Sequence, residues 1–226
     1  MKNRFFIFTA QLIIALLIFT EANKAQKDPS EYNVAIFIYE TVEILDFGGP
    51  AEVFSAAGCK VYTVSISADP IISQGFIKIV PQYTINNCPK PNIIVIPGGH
   101  GQKLEDNPDV QNWIKKCAAD AEIVMSVCNG AMFLAKTGIL DGKEATSHWG
   151  AISRLKSTAT KTKIHDDVRF VDNGQVITTA GVSAGIDGSL HVVRKLFGEE
   201  LALDIAKFMV YDKWDPDAGL IIMSGE

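Results

Sequence analysis

The sequence lacks the features that mark metalloproteins and nucleic-acid-binding proteins. It has only four histidines in 226 residues, and neither these nor the four cysteines stand at metal-ligand spacings, which argues against a zinc site. No basic run occurs, and a formal net charge of −5 with a pI near 5.4 argues against a nucleic-acid surface. Internal repeats and low-complexity tracts are also absent. The composition, 47% hydrophobic and 21% charged, is typical of a globular chain with one sizeable core.

A long apolar run is found only at the N-terminus. Two basic residues precede an apolar stretch over residues 5–19, and small residues follow at Ala22 and Ala25. This order is typical of a secretory signal peptide cleaved after one of the two alanines. The stretch is shorter than the roughly 20 apolar residues of a membrane helix, although an uncleaved anchor is the alternative. We therefore predict a signal peptide over residues 1–25, a secreted or periplasmic protein, and only transient contact with the membrane.

Export would place all four cysteines in an oxidising compartment. Four cysteines allow three complete pairings, and the sequence does not choose among them. Cys117 lies in a helix-like run and is most simply a buried small hydrophobe. Cys59 and Cys88 could pair with each other.

After the signal peptide, the chain alternates between apolar strand-like runs and helix-like runs. Such alternation predicts an α/β fold with a mostly parallel sheet and helices on both faces. We assign residues 33–212 to this domain and residues 213–226 to a C-terminal tail without a clear pattern. The predicted strands are 34–39, 60–65, 92–97 and 122–127, with a β excursion over 71–85 and a hairpin over 168–180; the predicted helices open near residue 50 and cover 108–119, 184–197 and 199–211.

Three polar loops follow three of the predicted strands. Asp46 follows the first, Gly98, Gly99 and His100 follow the strand over 92–97, and Cys128 ends another. Ligands bind parallel α/β sheets at the carboxyl ends of the strands. We therefore expect these loops to meet at one rim and to form a site for a small molecule.

Cys128 is the leading candidate for a reactive residue. It stands between an apolar strand and a helix, a turn that would lift its sulfur out of the sheet. Free N–H groups at the helix N-terminus and the helix dipole favour the thiolate, which is the reactive form. The sequence therefore predicts a nucleophile or a redox sensor, and the alternative is an inert buried thiol.

Asp46 has two interpretations that the sequence leaves open. It is either the N-cap of the following helix or a carboxyl group that shares a proton with Cys128 or with substrate. Gly98 or Gly99 could supply an N–H that joins the Asn129 N–H in an oxyanion hole, or the two glycines simply make a tight turn.

Two histidines are candidate bases. His148 precedes a tryptophan that suggests packing, and His100 lies in the glycine turn. We prefer His148. A run of small residues over 180–187 opens another helix and lets backbone approach a ligand, another subunit or the sheet.

Taken together, five sequence blocks resemble the PfpI superfamily. This class I glutamine-amidotransferase-like group includes the parkinsonism-associated deglycase and the isonitrile hydratases. The resemblance extends from residue 33 to about residue 212, and it is strongest to the isonitrile hydratase branch and to the sensor domains of AraC-type regulators. The blocks are 45–54, 96–100, 126–131, 145–149 and 180–187.

The resemblance implies a flavodoxin-like α/β sandwich, usually dimeric, that needs no cofactor. It implies Cys128 as the nucleophile, Asp46 as its acidic partner, and oxyanion-type donors at Gly99 and Asn129. His148 lies where several members carry a histidine. One departure is Asn129 itself, because the hydratases carry threonine after the cysteine and the protease-like members carry histidine.

These observations predict an exported, cysteine-dependent hydrolase or hydro-lyase that acts on a small electrophile in the manner of an isonitrile hydratase. One alternative is a non-catalytic protein that binds a ligand or senses oxidants through its thiol. The other is an activity like that of the glyoxalases and deglycases. The expected partners are a small-molecule substrate and a second copy of the chain, with no metal and no nucleic acid.

Overall fold

A computed structural model describes residues 27–223, so the predicted signal peptide lies outside the described residues. Within that range, no helix is both long enough and apolar enough to span a bilayer. The strands are β1 (Asn33–Phe37), β2 (Lys60–Ser65), β3 (Ile71–Ile72), β4 (Lys78–Ile79), β5 (Tyr83–Thr84), β6 (Ile93–Ile96), β7 (Ile123–Val127), β8 (Glu144–Ala145), β9 (Lys163–Ile164), β10 (Phe170–Asp172), β11 (Val176–Thr179) and β12 (Leu220–Ile221). The α-helices are α1 (Ile44–Ala56), α2 (Gln102–Glu105), α3 (Pro108–Asp120), α4 (Ala131–Lys136), α5 (Ile152–Thr158), α6 (Ala184–Phe197) and α7 (Glu199–Phe208).

The main sheet has the strand order β12-β10-β11-β7-β6-β1-β2-β5. Its central five strands, β2, β1, β6, β7 and β11, are all paired in parallel. Numbered by their sequence order alone, these five run 2-1-3-4-5, which is the flavodoxin order. The pairing of β10 with β11 is antiparallel, as the predicted hairpin requires. The predicted flavodoxin-like fold with a mostly parallel sheet is confirmed.

Helices cover both faces of this sheet. Every residue of β6, β7 and β11 is buried, and because successive strand residues point to opposite faces, both faces must be covered. One group of contacting helices contains α1, α6 and α7, and another contains α3, α4 and α5. The continuous apolar strand runs in the sequence reflect this double burial.

Helix α1 begins at Ile44, earlier than the sequence predicts. Its second turn contains Gly48, Gly49 and Pro50, which are poor helix formers, and Pro50 has no N–H to bond the carbonyl of Asp46 one turn earlier. Packing against α6 favours the helix all the same. The two helices approach closely at Gly49, where a Cβ atom would lie only 2.9 Å from the Ile186 side chain. The earlier start places Asp46 inside the first turn of α1.

The C-terminal tail adds a strand to the edge of the main sheet. Leu220 pairs with Val171 and Ile221 pairs with Asp172, both in parallel. The sequence shows no pattern here because this strand has only two residues, one of them exposed.

Candidate active site

The structure brings the loops at the carboxyl ends of β1, β6, β7 and β11 together around one carboxyl group. Asp46 Oδ2 accepts a hydrogen bond from the N–H of Gly98 at 3.0 Å. Its other oxygen, Oδ1, accepts one from the N–H of Val182 at 2.9 Å. The thiol of Cys128 is hydrogen-bonded to the same carboxyl group. Three of these four residues come from the sequence-predicted blocks around positions 46, 98 and 128, and the fourth comes from the small-residue run over 180–187.

Cys128 occupies a strained backbone position. Its φ angle is +60°, in the left-handed region that residues other than glycine rarely adopt. Two glycines make room for it. A Cβ atom on Gly181 would lie 2.6 Å from the Cβ atom of Cys128, and one on Gly130 would lie 2.0 Å from the carbonyl oxygen of Ile96. The turn that presents the sulfur is therefore fixed on both sides by close backbone contacts.

Asp46 does not cap its helix. The N-cap of α1 is Glu43, and the hydrogen bonds of the Asp46 side chain go to loops outside the helix. Its carboxyl group is fully buried, and burial raises its pKa to about 6, against the opposing effect of the N–H groups of Val182 and Gly98. Of the two interpretations left open by the sequence, the capping one is wrong. A carboxyl group with this pKa exchanges a proton near neutral pH.

The Cys128 thiol is not activated in the way the sequence suggests. Burial, and then the negative charge of Asp46, raise its pKa well above the usual range, while the N–H of Asn129 acts in the opposite direction. The following helix, α4, has only six residues and does not outweigh these effects. The expectation of a thiolate favoured by the helix N-terminus is therefore wrong. At neutral pH, Cys128 and Asp46 together hold one proton. It is on the sulfur, and the Asp46 carboxylate is its hydrogen-bond partner.

The predicted oxyanion donors at Gly98 and Gly99 are already engaged. The Gly98 N–H donates to Asp46, and the Gly99 N–H donates to Asn129 Oδ1 at 2.8 Å. The Asn129 side chain returns a second bond, from Nδ2 to the carbonyl oxygen of Gly99, also at 2.8 Å. Of the predicted donors, only the backbone N–H of Asn129 is hydrogen-bonded to the Cys128 sulfur.

The Asn129 side chain holds the Gly99 turn in place, and this predicts the effect of replacing it by threonine. In Asn129→Thr, the N–H and carbonyl of Gly99 lose both partners, and each unpaired buried group costs about 1–3 kcal/mol. We expect the free energy of unfolding, measured with urea, to fall by about 2–6 kcal/mol, the sum of the two costs. Asn86→Thr, in an exposed loop, is the control and should be nearly neutral. Equal stability of Asn129→Thr and wild type would show that the pair contributes nothing.

Neither candidate histidine is a partner of the thiol. His148 Nδ1 accepts a hydrogen bond from the Gly150 N–H at 3.2 Å, and its ring lies 5.2 Å from that of Trp149. His100 is exposed beside a cavity of about 770 Å³. In the part of the chain that the structure describes, the hydrogen bonds of the thiol join it to Asp46 and Asn129, and no group of three His, Cys, Asp or Glu side chains is placed to hold a metal ion.

Several residues that support the site had no individual signal in the sequence. The Ser147 hydroxyl donates to the carbonyl oxygen of Cys128 at 2.8 Å. The buried Tyr39 hydroxyl donates to the carbonyl oxygen of Pro97 at 3.0 Å. Burial, and then the nearby Asp46 carboxylate, raise the pKa of Tyr39. These contacts join residues far apart in sequence, so spacing does not reveal them.

Comparison with known proteins identifies the relatives of this chain. The model of the DJ-1/PfpI family matches residues 32–195. The isonitrile hydratase of Pseudomonas putida is 32% identical over 192 residues, which cover 81% of this chain and 83% of the hydratase. The resemblance that the sequence blocks indicate is confirmed.

Solved structures agree with this assignment. A THiJ/PfpI family protein from Pseudomonas syringae superposes with a TM-score of 0.76 at 30% identity, covering 87% of this chain and 81% of that one. An AraC family transcriptional regulator from Pseudomonas putida gives a TM-score of 0.71 at 21% identity, covering 79% of this chain and 99% of that chain. At this identity, the regulator supports the fold alone.

Proposed function

This chain belongs to the DJ-1/PfpI family, and we propose that it is a cysteine-dependent hydro-lyase that adds water to small isonitriles. The observation that carries the proposal is the hydrogen-bonded pair of a protonated thiol, Cys128, and a buried carboxyl group, Asp46, with a pKa of about 6. The similarity to an isonitrile hydratase over most of both chains supports the choice of substrate.

The pair suits the chemistry of an isonitrile because the terminal carbon of R–N≡C accepts both a proton and a nucleophile. In the first step, the thiol proton passes to Asp46 and from there to that carbon. The sulfur of Cys128 bonds to the same carbon, which gives a thioimidate, R–N=CH–S–Cys128. Keeping the proton on the pair until substrate arrives matches the raised pKa of the thiol.

Water completes the reaction in the second step. It adds to the thioimidate carbon, the nitrogen takes up a proton, and the carbon–sulfur bond breaks. The products are the N-substituted formamide, R–NH–CHO, and a thiolate that recovers its proton through Asp46. The N–H of Asn129 stabilises the negative charge on the departing sulfur.

The same pair weighs against the thiol-sensing alternative. Redox-sensor cysteines are accessible and have a low pKa, because the thiolate is the form that oxidants attack. Burial and the Asp46 charge act on Cys128 in the opposite direction. The site therefore favours addition chemistry, in which the sulfur and its proton are both used.

The proposal is tested by offering the purified protein p-tolyl isonitrile, methylglyoxal, and simple amides and esters. We expect N-(p-tolyl)formamide from the isonitrile, with its oxygen derived from isotopically labelled water. Turnover of methylglyoxal without turnover of the isonitrile would favour the glyoxalase-like alternative. No turnover at all, with reversible oxidation of Cys128 near neutral pH, would favour sensing.

We also propose that the protein is exported. The basic residues, the apolar stretch over 5–19 and the small residues at Ala22 and Ala25 support this. N-terminal sequencing of the protein recovered outside the cytoplasm should find a start near Asn23 or Gln26. Recovery of chains that still begin at Met1 would contradict cleavage.

A further inference from the structure

Two cysteines, Cys88 and Cys117, lie outside the site around Cys128. Cys88 follows β5 in the loop before β6, and Cys117 lies near the end of α3. Both line one cavity of about 210 Å³, together with Trp113. All four cysteines of the described chain are free thiols, with Cys88 half-buried and Cys117 buried.

Trp113 fixes the position of Cys88 against α3. Its indole Nε1 donates a hydrogen bond to Cys88 Sγ at 3.4 Å. Trp113 and Cys117 are four residues apart in the helix, so they stand one above the other on the same face. The hydrogen bond therefore places the Cys88 sulfur beside the face of α3 that carries both Trp113 and Cys117.

Two further contacts hold the loop of Cys88 against this end of the molecule. The Tyr62 hydroxyl donates to the carbonyl oxygen of Pro89 at 2.7 Å. Lys90 Nζ lies 3.2 Å from the carboxylate of Asp120, three residues beyond Cys117. Directly after Cys88, the loop is therefore tied both to β2 and to the end of α3.

Electrostatic coupling shows which cysteine is the neighbour of Cys88. Burial raises the pKa of Cys117 to about 12, and the next largest contribution comes from Cys88. The pKa of Tyr62 is likewise raised by burial and then by both Cys88 and Cys117. Cys59, the partner suggested by the sequence, has its pKa raised to about 12 by burial alone. The neighbour of Cys88 is thus Cys117 and not Cys59.

We propose that Cys88 and Cys117 form a redox-active dithiol, which closes to a disulfide by exchange with a small-molecule disulfide. Cys88, the more exposed of the two, attacks one sulfur of the small disulfide as its thiolate, which gives a mixed disulfide and releases one small thiol. Cys117, which is protonated at rest, then attacks the sulfur of Cys88 within the mixed disulfide, and its proton passes to the second small thiol as that thiol leaves. The small disulfide gains two electrons, and the two protons lost by the cysteines end on the released thiols.

The test is to treat the wild-type protein with oxidised glutathione, alkylate the remaining thiols with iodoacetamide, and map the peptides by mass spectrometry. We expect a cross-linked peptide that joins Cys88 to Cys117 and a loss of two alkylatable thiols. In Cys117→Ala, the reaction should stop at a glutathione adduct on Cys88. Cys59→Ala is the matched control, with a buried thiol removed elsewhere, and should form the cross-link like wild type.

Three results would overturn the proposal. The first is a cross-link from Cys88 to Cys59. The second is a glutathione adduct on Cys88 that persists in wild type without a cross-link, which would mean that Cys117 cannot reach it. The third is a Cys88 thiol that does not react in the folded protein while Cys128 does.

Discussion

Replacing Asp46 by asparagine (Asp46→Asn) is expected to lower kcat/KM for the isonitrile by about 10²- to 10⁴-fold and to make the Cys128 thiol more acidic. The amide cannot accept the thiol proton and pass it to substrate. It also removes the negative charge that, after burial, most strongly raises the thiol pKa. A loss of activity accompanied by a more reactive thiol distinguishes proton transfer from simple damage to the site.

The pH dependence gives an independent measure of the same pair. Below about pH 6, the carboxyl group of Asp46 is protonated, so it cannot take the proton of Cys128. The wild-type kcat/KM should therefore rise with pH through about 6 and then level off, because the thiol keeps its proton at neutral pH. In Asp46→Asn this rise should be absent, and alkylation by iodoacetamide should be faster than in wild type.

Glu43→Gln is the matched control for Asp46→Asn. The charge of Glu43 also raises the pKa of Cys128, though less, and Glu43 caps α1 without a side-chain hydrogen bond. This variant should alkylate slightly faster than wild type and keep its turnover.

Asp46→Asn should in addition lose about 1–3 kcal/mol of stability, because its amide nitrogen would face an N–H donor. Unchanged turnover in Asp46→Asn, with that loss of stability alone, would reduce Asp46 to a structural residue.

Gly181→Ala is expected to damage both stability and activity. Gly181 has a φ angle of +102°, and an added Cβ would lie 2.6 Å from Cys128 Cβ and 3.0 Å from its sulfur. The backbone conformation and the overlap together should lower the free energy of unfolding by about 2–4 kcal/mol. Displacing the sulfur from its position beside Asp46 should lower kcat/KM by about 10²-fold.

Gly174→Ala separates these two effects. Gly174 has a similar φ of +87°, but an added Cβ there meets nothing within 4 Å. It should cost about 1–2 kcal/mol through the backbone alone and leave kcat/KM unchanged. Urea unfolding and steady-state kinetics on both variants check this. Equal effects of the two substitutions on kcat/KM would show that the contact with Cys128 is unimportant.

The sequence predicts most of the framework of this molecule. The fully buried strands appear as uninterrupted apolar runs, and the predicted helix over 184–197 coincides with α6. The rule that loops meet at the carboxyl ends of parallel strands is enough to bring Asp46, Gly98 and Cys128 together. The start of α1 is missed because tertiary packing overrides the low helix propensity of Gly48 and Pro50.

The chemistry of the site is less predictable than its location. The thiol pKa depends on how deeply Cys128 is buried and on a carboxylate 82 positions earlier in the chain, and local sequence contains neither. The engagement of the Gly98 and Gly99 N–H groups likewise depends on side chains from other loops. Sequence motifs indicate which residues meet, whereas protonation states follow only from the assembled neighbourhood.

The most direct test of the account is to stop the reaction with acid during turnover of p-tolyl isonitrile and weigh the peptide that carries Cys128. We predict that this peptide gains the mass of one isonitrile molecule in wild type, as the thioimidate requires. The account is contradicted if the peptide stays unmodified and Cys128→Ala forms the formamide at the wild-type rate.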